Sequence, residues 1–163
     1  MSTDLFGVVD LDAIKKKKRK TPLKIHLPLG KVCVGSKDKF TCRSVPYSPN
    51  FLNRKHWAVQ ARWKKAWEEE IYGRWLEEKP KWKEYEFPLD FKVAISISVF
   101  CIKAQDEDNS YASFKGVIDG LIKCGIIKND TIDHVTTSLQ FIPVKTRKAE
   151  HIELIIKKHV RKY

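Results

Sequence analysis

The chain has 163 residues, 42% of them hydrophobic and 11% aromatic, and its 32 Lys and Arg against 20 Asp and Glu give a net charge of +12. That is the length of one domain with enough apolar content for a core, which excludes global disorder, and no apolar run reaches the ~18 residues of a membrane-spanning helix, so no membrane partner is expected. The positive excess points to a polyanionic partner, nucleic acid first, and the lack of a secretory pattern predicts a cytoplasmic protein, nuclear if eukaryotic.

Residues 1–14 are mildly apolar and acidic, and residues 15–20 (KKKKRK) carry +6. A block of like charge repels itself and reads as a solvated arm able to lie along phosphates. Lys15, Lys16, Lys17 and Lys18 are therefore candidate DNA contacts, and 1–22 is set apart from a folded domain over 23–163. In 31–46, two short alternating runs flank Gly35-Ser36-Lys37-Asp38 and predict a β-hairpin. SVPYSPNFLN, with two prolines and two asparagines, reads as a loop. From Arg54 to about Glu78 the pattern is helical: Trp63, Trp67, Ile71 and Trp75 recur every four residues, with Ala66 and Tyr72 beside them, and Pro80 ends the run. Tryptophans at that spacing read as core or dimer contacts. DFKVAISISVFCIK at 90–103 predicts a central strand. Asp108, Asn109 and Ser110 offer caps for a second helix through about Lys123, striped by Phe114, Ile118, Leu121 and Ile122 and stopped at Gly125. Residues 134–143 and 149–158 read as a closing pair of strands around a Lys145–Lys148 turn. The predicted fold is α/β of the α+β kind, a small mixed β-sheet with two main helices packed on it, in a single domain.

Four cysteines in a chain this long do not indicate a disulfide framework. Eight residues separate Cys33 from Cys42, Cys101 and Cys124 stand alone, and no C-x-x-C occurs. His26, His56, His134, His151 and His159 are scattered without metal-ligand spacing, so neither a structural zinc nor a zinc hydrolase is indicated.

Residues 106–133 break the charge trend, with Asp106, Glu107, Asp108, Asp119, Asp130 and Asp133 against three lysines. Carboxylates gathered within a basic surface suit Mg²⁺, a hard ion that bridges carboxylates and a substrate phosphate. Asp106 and Asp108, at i and i+2 after a strand, point the same way if extended, while Glu107 faces away. Asp119 follows Lys115 by one helical turn, and Asp130 falls in a turn. Each feature has a plainer reading as a cap, a surface i,i+4 pair worth ~0.3 kcal/mol, or a turn residue.

The order D-x-D-N, then K-x-x-x-D-x-L on a helix, then a turn acid, resembles the RusA-type Holliday junction resolvase family. Upstream, Ser48-Pro49-Asn50 with Arg54, His56 and Trp57 is similar to that family's entry to its first helix, and Arg62 and Trp67 fit the continuation. The resemblance covers roughly residues 44–158. It implies a homodimeric, Mg²⁺-dependent endonuclease (Mn²⁺ an alternative ion) that resolves four-way junctions by paired nicks, with branched DNA as partner. It assigns metal roles to Asp106, Asp108 and Asp130, the catalytic cation to Lys115, and an auxiliary role to Asp119. DNA contacts fall on Asn50, Arg54, His56, Trp57, Arg62, Lys64 and Lys65. Two departures stand out: Lys115 lies three residues later than the familiar spacing, an interval close to one helical turn, and Asn129 replaces the first acid of the pair ending at Asp130. A less selective branched-DNA nuclease and a non-catalytic nucleic-acid-binding protein are the alternatives.

Overall fold

The computed structural model describes residues 21–36, 39–47, 53–103 and 111–160. Among the described residues there are six strands: β1 Lys24–Leu29, β2 Val32–Ser36, β3 Lys39–Arg43, β4 Val93–Cys101, β5 Val135–Pro143 and β6 His151–Lys158. The helices are α1, Trp57–Glu78, and α2, Lys115–Lys123. Strands β1, β6, β4 and β5 form one sheet in that order, with β4–β5 parallel and the other pairings antiparallel. β2 and β3 form a separate hairpin. The result is a mixed sheet with two helices, the expected α+β architecture.

Period-two alternation decides which face of the sheet is covered. Leu27, Leu154, Ile97 and Leu139 lie side by side across the four strands, as do Ile25, Ile156, Ile95 and Thr137. These rows face the helices, and most of their apolar members are fully buried. Trp63, Trp67, Ile71 and Trp75 of α1 and Val117, Ile118 and Leu121 of α2 complete the core. Each such side chain contributes roughly 1.5–3 kcal/mol by leaving water. The tryptophan stripe is thus core, while Tyr72, expected beside it, is 53% exposed. The opposite sheet face carries small polar residues: Ser138 Oγ donates to Ser96 Oγ at 3.2 Å and Gln140 Nε2 to Ser98 Oγ at 2.7 Å.

Four local expectations need correction. β1 lies in a stretch with no predicted strand. β5 and β6 are not a hairpin, because β4 runs between them; their seven-residue connection instead crosses the sheet end through a short 3₁₀ turn at Arg147–Ala149. Cys33 and Cys42 are a disulfide, since the β2–β3 register sets them directly opposite. Nor is the helix unbroken: Tyr111–Ser113 are helical, but Phe114, at φ −88° and ψ 0°, interrupts the run before α2 with its ring buried in the core. The proposed caps Asp108, Asn109 and Ser110 and the hairpin turn 37–38 lie outside the described residues.

Gly125 does stop α2. Its φ of +69° is the left-handed region that glycine enters without a Cβ penalty. Ile126 N donates to Leu121 O at 3.0 Å and Gly125 N to Ile122 O at 2.9 Å, the paired bonds of a Schellman turn. Ile126 and Leu121, both buried, close it apolarly. This turn sends residues 127–134 back along α2, which positions the site described next.

Candidate functional site

Lys115 is the first residue of α2, and a cation there opposes the helix dipole. Two carboxylates offset it. Lys115 Nζ is 3.3 Å from Asp130 Oδ2 and 4.0 Å from Asp119 Oδ1. Asp119 in turn accepts from Lys64 Nζ of α1 at 2.9 Å. Lys64, Asp119, Lys115 and Asp130 therefore form a chain of alternating charge across two helices and a loop. Asp119 is the most enclosed, with its side chain 23% exposed against 43% for Asp130 and 68% for Lys115. The Asp119 carboxylate, through its hydrogen bond, holds the Lys64 ammonium above its ordinary 10.5 despite some opposing desolvation.

The loop that delivers Asp130 is shaped by its neighbour. Asn129 Oδ1 accepts from Thr131 N at 3.2 Å and from Thr131 Oγ1 at 2.8 Å, an Asx turn. Thr131 Oγ1 also lies 2.9 Å from His134 Nδ1. Asn129 therefore serves the turn, and His134 has a structural role in it. Beside Lys115 and Asp130 lies a recess of ≈260 Å³ whose lining includes buried Ile97, Phe114 and Ile118 and exposed Tyr111.

A second rung joins the helices one turn further on, where Lys123 Nζ meets Glu68 Oε2 at 2.7 Å. Both rungs depend on close approach at Gly120, where a Cβ would lie 2.6 Å from Ile71 Cδ1 and 3.5 Å from Glu68 Cα.

The start of α1 presents the predicted DNA face. Arg54, Arg62, Lys64 and Lys65 are exposed, and Trp57 is 73% exposed with its ring 5.4 Å from that of His56. His56 has a local role as well: its Nδ1 accepts from Ala58 N at 3.2 Å and caps the helix. Lys64, expected only as a DNA contact, is also the partner of Asp119; a contact across 55 residues leaves no local signal. Lys65 pairs with Glu69 at 3.6 Å.

Of the five expected catalytic residues, the structure brings Lys115, Asp119 and Asp130 together. Asp106 and Asp108 lie outside the described residues, as do Glu107, Asn50 and Lys15, Lys16, Lys17 and Lys18. Among the described residues no three His, Cys, Asp or Glu side chains cluster as a metal site, and no helix is long and apolar enough to cross a membrane. No family model matches the chain, and no curated protein matches it.

Proposed function

We propose that this chain is a Mg²⁺-dependent, structure-selective DNA endonuclease that resolves four-way junctions by paired nicks, acting as a homodimer whose two-fold symmetry suits the junction. The observation that carries this reading is the meeting of Lys115, Asp119 and Asp130 beside Tyr111. Asp108 is three residues from Tyr111 along the chain and Asp106 three from Lys103. Asp130 presents hard oxygen donors at a solvent-open rim, which fit Mg²⁺. With Asp106 and Asp108 it would hold that ion, which supplies Lewis acidity toward the scissile phosphate when bound. Lys115 brings a positive charge, reinforced by the amino end of α2, to the charge that builds on the phosphate in the transition state. Asp119, braced by Lys64, orients Lys115. Arg54, just before α1, and Arg62 and Lys65 on it neutralise phosphates, and Trp57 stacks on an unpaired base or sugar at the branch.

A second reading has its own support. Asp119 and Asp130 are already neutralised by lysines, as in a nucleic-acid-binding protein without catalysis. One gel separates the two: a synthetic four-way junction and a linear duplex of equal length, each with Mg²⁺ and with chelator. Paired nicks in the junction with Mg²⁺ alone are expected. Retarded but uncut DNA under both conditions would leave the binding protein in possession.

A further inference from the structure

Lys103 follows β4 and Arg147 opens the turn before β6, so both lie at the carboxyl-terminal end of the parallel pair β4 and β5. The β2–β3 hairpin reaches the same end through Arg43. Together with Lys31 these residues line a recess of ≈370 Å³ that shares no residue with the Lys115 cluster. Crevices beyond the carboxyl ends of parallel strands are where open α/β sheets take ligands.

The charge of the recess is unbalanced. Four cations line it against a single acid, Glu150, whose Oε1 accepts from Ile102 N at 3.2 Å. Among the described residues, Lys31, Lys103 and Arg147 form no ion pair, whereas Lys64, Lys65, Arg74, Lys81, Lys115 and Lys123 all do. Cys101 adds no negative charge: burial, and secondarily Glu150, push its thiol up and keep it protonated. Arg43 is held in place. Its Nε donates to Val45 O at 3.2 Å, and its guanidinium lies 4.2 Å over the Tyr47 ring. The strand carrying it is fastened by the Cys33–Cys42 disulfide. A planar fork already ordered on an aromatic ring loses little freedom when it takes two phosphate oxygens.

β4 links the two sites. Ile97 lines the recess beside Lys115 and Cys101 the basic one; four residues of strand span roughly 13 Å, a separation that a few nucleotides of one strand can bridge. We propose that the basic recess is a phosphate-binding subsite that grips the backbone of the cleaved strand a few nucleotides from the scissile bond. This rests on the endonuclease reading above.

Fluorescence anisotropy of a labelled four-way junction in chelator, across a salt series, tests it. Arg43→Gln/Arg147→Gln should weaken binding about tenfold or more at ~0.1 M salt and lower the salt slope of log K by about 1.8, the value for two lost phosphate contacts. Lys31→Gln/Lys103→Gln, at exposed positions, should change both in the same direction. Lys79→Gln/Lys83→Gln, exposed beyond α1, should change neither beyond the general effect of net charge. If both recess variants keep the wild-type slope, or only the Arg43 variant loses affinity, the recess holds no phosphate and the endonuclease reading stands. If wild-type protein binds no DNA at all, both inferences fall together.

Discussion

Lys115 carries the sharpest expectation at the scale of single residues. As a transition-state electrostatic partner, it should show little effect on binding when replaced and a large one on rate. Lys115→Ala is expected to bind junctions near wild-type strength and to nick about 100-fold or more slowly in single turnover. Lys115→Arg should rescue little, because a planar fork does not replace a compact ammonium. A rate within about threefold of wild type, roughly 0.65 kcal/mol, would make the lysine an exposed ion-pair partner of Asp119 and Asp130 and no more. Asp130→Asn should abolish nicking while leaving binding intact or stronger, since the amide keeps the shape and loses the charge; retained nicking in Mg²⁺ would remove it as a ligand. Lys64 is tested by pH. Its folded-state value is raised, so its contribution to stability is complete below its ordinary 10.5 and is lost as pH rises through the higher folded value. The difference in thermal stability between wild type and Lys64→Gln should therefore hold from neutrality to about pH 10 and shrink above it. A difference that already fades near neutral pH would mean another group governs it.

Between elements, the decisive contact is α1 against α2 at Gly120. An alanine there gains up to about 1 kcal/mol of helix propensity. It also drives a methyl into Ile71 Cδ1, and overpacking of a filled core costs about 1–3 kcal/mol. Because Ile71 is fully buried, overpacking should win, and Gly120→Ala should melt about 2–4 °C below wild type. A higher melting temperature would show that α2 can move away without loss. This contact also marks where sequence reading succeeds and stops. The tryptophan stripe and the β4 alternation are periodic, so their buried faces are legible along the chain. Gly125 is legible because its residue type matches the backbone it needs. The break at Phe114 is not, since it arises from where the ring finds room in the core. β1 alternates well enough (KIHLPL), but Pro28 counts against a strand until β1 is known to be an edge, where a missing N–H can point outward. In the candidate site, Lys115 and Asp119 are one turn apart and readable as a pair, whereas the approach of Lys64 depends on packing between helices.

For the whole molecule, half of the net charge of +12 can be assigned to one short block of sequence. Residues 15–20 hold +6 and no assigned catalytic residue. Removing residues 1–20 should weaken junction binding and lower its salt slope by about 0.9 for each phosphate the arm neutralises, while cleavage persists at low salt; an unchanged slope would take the arm off the DNA. The order of strands has a separate consequence, for synthesis. Among the described strands β6 comes last in sequence yet lies inside the sheet, and β1 is bonded to the sheet through β6 alone. Lys24 and Lys157, at opposite ends of the domain, are direct partners. The nascent polypeptide therefore holds an incomplete sheet until β6 emerges, and loop closure over nearly the whole domain makes that step slow. A fragment ending at residue 148 should show no cooperative melt by circular dichroism, and a synthetic 149–163 peptide should restore one on mixing; a cooperative melt in the fragment alone would show that β1 and β4 hold without their shared neighbour. A stop codon between β5 and β6 would therefore remove both the interior strand and the only partner of β1 in the sheet.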